Sequence, residues 1–256
     1  MYGCPDSSAS RSPEHRHAVQ QGDTSAASHA TDAAALNHHD TTLAARLKAH
    51  TADLHQQAGS SPFAHRLING QIQLHEIATL LRHALLVHQE LESHAQPLIE
   101  RCEAFARLNP TWRQRSRSIE SAIDELPAPA SSEPMEITTR FCADLRAAAE
   151  QDPLAIAGGF YVVEGANNGN RMIYPNWRKT LGDRAAALEP YMDPHGPGQP
   201  AAWAAFKEAL NAIQPSKETA DSIARTAQST FRYYLDLYDS FDTPLAAESH
   251  RHEPTP

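Results

Sequence analysis

The chain has 256 residues, 41% of them hydrophobic, and carries a formal net charge of −9. That charge argues against a nucleic-acid partner, because phosphate binding needs a clustered basic surface that this sequence does not display. No run of about 18 apolar residues occurs, as a spanning helix would require, and the amino terminus lacks the basic-then-apolar order of a secretion signal, so a cytoplasmic protein with no membrane role is expected.

Apolar content is uneven along the chain, which points to one folded unit with loose ends. Residues 1–40 are mostly Ser, Ala, His, Gln and Asp and bury too little to offset chain entropy, so a disordered tail is expected there. The proline-bearing stretch 243–256 reads the same way. The folded unit is therefore expected at 41–242. Cys4, Cys102 and Cys142 form no CxxC pair, and their odd count fits reduced thiols.

Leu43, Leu47, Leu54 and Ala58 recur at helical spacing behind the capping residues Asp40-Thr41-Thr42, predicting a first helix. A short helical turn over Phe63 to Leu67 ends at Asn69-Gly70, and Leu74, Ile77, Leu80, Leu81, Leu85, Val87 and Leu91 build a long helix to about His94. On it, His83 and His88 sit among apolar neighbours and are expected to pack with satisfied hydrogen bonds. Helices are further predicted at Thr111–Glu125, Pro134–Gln151, within Pro153–Leu181, at Pro200–Ile213 and at Ser216–Phe241, with Gly196-Pro197-Gly198 as a loop. No alternating strand pattern is found, so the fold class is all-α.

Two places carry chemistry. Lys48 and His55, seven residues apart, lie about 20° from alignment and roughly 10 Å apart along a helix axis. That spacing suits a flat ligand whose central iron meets the imidazole while an edge carboxylate reaches the ammonium. Gly165 and Gly169 stack on one face of the later helix, where each costs about 1 kcal/mol relative to alanine. Missing side chains allow close approach of a ligand or of another helix, and let the backbone kink. The neighbouring amides of Asn167, Asn168 and Asn170 are poor helix formers that could hold water at such a site.

Over roughly Thr42 to Phe241 the sequence resembles the bacterial, biliverdin-producing haem oxygenases. The resemblance rests on Leu47-Lys48, Leu54-His55-Gln56-Gln57-Ala58, Phe63, Gly70-Gln71-Ile72, Tyr161-Val162-Val163-Glu164-Gly165 and Gly169, with Trp203, Phe206 and Phe231 as weaker support. It implies a helical bundle with haem between a proximal and a kinked distal helix. Haem would be both cofactor and substrate, cleaved with dioxygen and electrons from a donor such as ferredoxin or a flavoprotein reductase to biliverdin, ferrous iron and carbon monoxide. His55 would be the iron ligand and Lys48 a propionate partner, with Ala58, Tyr161, Gly165, Gly169 and Phe231 also touching haem. Gly165, Gly169, Asn167 and Asn168 would form the catalytic distal side, and Arg171, Arg178 and Lys179 stand where the other haem edge is within reach.

The bacterial pattern Gly-Ser-x-Leu-Gly-Gly reads Gly165-Ala166-Asn167-Asn168-Gly169-Asn170 in this chain. Ala166 removes a hydroxyl and Asn170 adds a side chain. These departures keep two alternatives in view: a haem-binding carrier or sensor of the same fold, and a relative binding non-haem metal ions or a small heterocycle.

Overall fold

The computed structural model describes residues 42–127 and 133–242, so the tails expected at 1–40 and 243–256 lie outside the described residues. Among the described residues there is no strand, and no helix is long and apolar enough to cross a membrane. The fold is all-α.

Helix α1 (Leu43–Ser60) starts where its capping residue predicts, with the Thr42 hydroxyl accepting from Ala45 N at 3.3 Å. Helix α2 (Pro62–Ile68) is capped by Ser61 and opened by Pro62. It ends at Gly70, whose φ of +67° favours glycine and where a Cβ would sit 2.8 Å from Thr180 Oγ1 and 3.1 Å from Asn176 O. Helix α3 (Leu74–Ile99) begins with the Glu76 carboxylate accepting from Gln73 N at 2.8 Å. It outruns the predicted end at His94, tolerating Pro97 in its last turn.

Helices α4 (Glu103–Leu108) and α8 (Glu189–Met192) were not foreseen, being too short to show a period. The helix predicted over Thr111–Glu125 divides into a 3-10 turn (Thr111–Arg113) and α5 (Ser116–Asp124). The break has a long-range cause. Glu92 on α3 accepts from the backbone N–H groups of Arg115 and Ser116 at 2.7 and 3.2 Å, capping α5 from another helix.

Helices α6 (Glu136–Gln151), α7 (Ala157–Leu181), α9 (Gln199–Asn211) and α10 (Lys217–Asp242) agree with the predicted pattern. Helix α10 is the organising element: α1, α6 and α7 all pack along it, while α1 and α7 scarcely touch each other. Two apolar clusters fill the interior, one around Leu47, Leu91, Phe160 and Phe206 and one around Phe63, Ile77, Leu81 and Trp177; Leu80 and Phe241 touch both.

The α7–α10 crossing is close because Gly158 has no side chain. A Cβ there would lie 2.1 Å from Ile223 O and 2.7 Å from Ala227 N. Gly158→Ala is therefore expected to destabilise the fold by about 1–3 kcal/mol or more, read from a urea unfolding midpoint. An unchanged midpoint would contradict the close crossing.

His83 and His88 are buried, as expected of packed histidines. Burial, then the charge of Arg82, lowers His83 to about 4, and burial, then Arg115, lowers His88 to about 3. A histidine depressed when folded binds its proton preferentially in the unfolded chain, so its stabilisation is full above the unfolded value and is lost as pH falls towards the folded one. The melting temperature should thus drop between about pH 7 and about pH 5; a flat profile would contradict neutral burial. Cys142 is a half-buried free thiol.

Candidate functional site

Thr51 is buried and marks the side of α1 that faces the body of the protein. His55 follows one turn later on the same side, yet it is exposed, and Leu54 and Ala58 around it are only half-buried. Open space therefore lies along the inward side of the second half of α1. Its floor is α10: the half-buried Phe231 ring meets the His55 ring edge-on at 5.8 Å and 69°, and Gln228 Nε2 donates to His50 O at 2.9 Å.

The opposite wall is α7. Near its start the Tyr161 hydroxyl lies beside Thr51, and beyond the middle Trp177 Nε1 and Asn176 Nδ2 donate to Leu67 O and Ile68 O of α2 at 2.8 and 2.7 Å. Between these two points α7 carries Gly165, Gly169 and Met172 on one side. A Cβ at Gly165 would meet only Trp203, at 3.6 Å, and one at Gly169 would meet no protein atom within 4 Å. Met172 is 80% exposed, large for an apolar side chain.

These glycines do not serve helix–helix contact. The close approach between helices is made by Gly158, one of a Gly-Gly pair whose role the sequence did not suggest, while Gly165 has ordinary contact room beside Trp203 and Gly169 faces space. Helix α7 runs unbroken through this region, so any kink there involves no interruption of α-helical structure.

Cations stand at one end of the space. Asn211 Oδ1 accepts from Ala44 N at 2.9 Å, joining the end of α9 to the start of α1. One turn from that junction on each helix lie the exposed Lys48 and the half-buried Lys207, whose Nζ is 5.7 Å from the Trp203 ring centroid. Lys207 was missed, although its place one turn beyond Trp203 was visible in the sequence. Arg171 is 3.9 Å from Asp193, and Arg178 and Lys179 are exposed in the last turn of α7.

The distal asparagines separate. Asn168, half-buried, donates to Gly165 O at 3.1 Å and accepts from Gln199 at 3.3 Å. Asn167 is buried on the far side of α7 and donates to Glu164 Oε2 at 3.2 Å, so its amide does not face the glycine side as expected. The reason is helical geometry, since two residues from Asn167 to Gly169 turn about 200°.

Behind Asn167 lies an ion cluster absent from the sequence expectations. Glu164 is 3.3 Å from Arg113 Nη1 and 3.9 Å from Arg115 Nη2, with all three side chains at most 6% exposed. Burial raises the Glu164 carboxyl, against the pull of Arg113 and Arg115, and burial lowers both guanidinium groups against the pull of Glu164. The cluster braces α7 from behind.

Fold and site together define a class of protein: an all-α bundle in which α1 presents an exposed imidazole and α7 a glycine-bearing side, both helices packed along α10. The heme oxygenase family model matches residues 41–240, and the chain belongs to that family. Similar solved structures are the heme oxygenase from Leptospira interrogans, at 16% identity and TM-score 0.68 over 78% of this chain and 99% of that one, and two from Synechocystis. Heme oxygenase-1 of that organism, in complex with heme, matches at 15% identity and TM-score 0.66 over 78% and 92% of the two chains. Its heme oxygenase-2, in complex with heme and NO, matches at 17% and 0.69 over 79% and 86%. No curated protein sequence matches.

Proposed function

We propose that this chain is a haem-cleaving oxygenase that binds haem in the slot between α1 and α7, with the cytoplasm as its expected setting. The observation that carries the proposal is the pairing of an exposed imidazole on the inward side of α1 with two glycines on α7, Gly169 open and Gly165 beside the edge of Trp203 alone, at neither of which the protein's own packing demands a missing side chain. A flat pigment between them would account for both.

The residues present fit that group. His55 would hold the iron, with its ring steadied against Phe231. Lys48, aided by Lys207, would meet the propionates. Ala58, Phe231 and Met172 offer apolar contact, and Tyr161, beside Thr51, stands at one end of the slot. Gly165 and Gly169 would let the α7 backbone lie against the pigment.

Bound haem would supply the iron that reacts with dioxygen and the meso carbon that is oxidised, with electrons from a ferredoxin or flavoprotein reductase, to give biliverdin, ferrous iron and carbon monoxide. The protein's task is then to aim the imidazole, to cover the opposite face without a strong acid, and to order water there. Asn168, anchored by Gln199 and Gly165 O, keeps an amide at the edge of the slot for that water. Asn167 acts at most through Glu164 and is a positioning residue.

The test is turnover. Haemin-loaded protein given reductant and air should yield biliverdin and chelatable ferrous iron. Histidine-ligated haemin that survives this treatment would sink the enzyme reading and favour a carrier or sensor, for which Ala166 in place of a hydroxyl is the supporting feature. The non-haem metal alternative has no cluster of three or more His, Cys, Asp or Glu to support it among the described residues.

A further inference from the structure

On the side of α10 away from Phe231, side chains of three helices form a buried hydrogen-bonded chain. Tyr233 Oη on α10 is 3.1 Å from Thr138 Oγ1 on α6, which is 2.8 Å from His83 Nδ1 on α3. None of the three residues is more than 3% exposed. Burial keeps the imidazole uncharged near neutral pH and pushes the phenol above its usual range, so Tyr233 does not readily lose a proton by itself. Satisfying one buried hydroxyl needs one partner. A second partner that is a neutral base gives the phenolic proton somewhere to go.

A series of ring contacts runs from Tyr234 through Tyr233 towards the outer surface, and Phe231, against His55, stands on α10 one turn before Tyr234. The Tyr234 and Tyr233 rings are 5.0 Å apart, and Tyr233 stacks on Phe141 at 4.4 Å and 7°. Phe141 and Tyr233 then line a surface recess of about 190 Å³ between α6 and α10. Cys142, a half-buried thiol whose ionisation burial pushes up to about 11, lies near both tyrosines.

We propose that Tyr233 is a redox-active tyrosine that gives an electron towards the slot while its proton passes through Thr138 to His83. The chain stands on its own geometry; only the natural oxidant, haem over-oxidised by hydrogen peroxide, rests on the proposed function. In the step, Tyr233 loses one electron and the oxidant gains it. The phenolic proton moves to Thr138 Oγ1 as the Thr138 hydroxyl proton moves to His83 Nδ1, leaving a neutral tyrosyl radical and an imidazolium. No other bond forms or breaks. A one-electron reductant restores the phenol as the protons retrace their path. The consequence is protection: an oxidising equivalent formed beside His55 is drawn off before it attacks that pocket.

Two experiments test this. In the first, the protein without haem is mixed with photogenerated tris(bipyridyl)ruthenium(III) and followed by transient absorption. A tyrosyl radical is expected in the parent, lost in Tyr233→Phe and kept in Tyr234→Phe. Thr138→Val, which keeps Tyr233 but cuts the chain, should slow its formation and remove the solvent deuterium effect. A signal unchanged in Tyr233→Phe, or formed at the parent rate in Thr138→Val, overturns the proposal. Circular dichroism confirms that each variant folds. In the second, haemin-loaded protein is treated with hydrogen peroxide, frozen and read by electron paramagnetic resonance. A Tyr233 radical in the ruthenium experiment but none with haemin upholds the redox tyrosine and counts against haem as its oxidant.

Discussion

Gly169→Leu is expected to make the apoprotein more stable and to weaken haemin binding at least about tenfold, or about 1.4 kcal/mol. The two effects have separate causes. Glycine in a helix interior costs about 1 kcal/mol relative to a good helix former, and a Cβ added at position 169 stands in open space. The melting temperature should therefore rise by about 2–3 °C. The space that makes leucine harmless to the fold is the space assigned to the porphyrin, where a branched side chain would collide with the ring. Thermal unfolding and haemin titration on the same sample check both halves. Undiminished haemin affinity would mean that nothing flat lies against this stretch of α7, and a lowered melting temperature would mean that the open side is closed.

His55→Ala should abolish histidine ligation of haemin and with it biliverdin formation, while changing stability by no more than about 0.5 kcal/mol, as for other exposed positions. His55 is exposed and its described aromatic contact is the edge of Phe231, so its loss removes little packing. The variant should bind haemin at least about tenfold more weakly, with a displaced Soret band, and added imidazole should restore the parent spectrum by filling the vacated place. Retention of the parent spectrum without imidazole would transfer the ligand role to another residue.

How much of this was legible in the sequence differs from residue to residue. The long helices were, because apolar residues at three- and four-residue spacing can be buried in one way only, and Thr42 and Gly70 mark a start and an end that need no tertiary information. The candidate pairs came from helical spacing alone, Lys48 with His55 two turns apart and Gly165 with Gly169 one turn apart.

The direction of Asn167 was equally readable from its two-residue offset to Gly169, and the expectation that it faces the slot set aside the helical period. Other features could not be read from local pattern. The break before α5 depends on a carboxylate from Glu92, more than twenty residues away in sequence, and the brace of Glu164 by Arg113 and Arg115 joins segments about fifty residues apart. Gly158 and Gly169 have the same local freedom, and only the presence of α10 beside the first and empty space beside the second tells them apart.

The most direct test of the account is a crystal structure of the full chain with haemin. It should show iron bonded to a ring nitrogen of His55, the porphyrin lying across Gly165 and Gly169, and its propionates directed to Lys48. Haemin bound elsewhere, or α1 and α7 closed upon each other with no pigment between them, would contradict it.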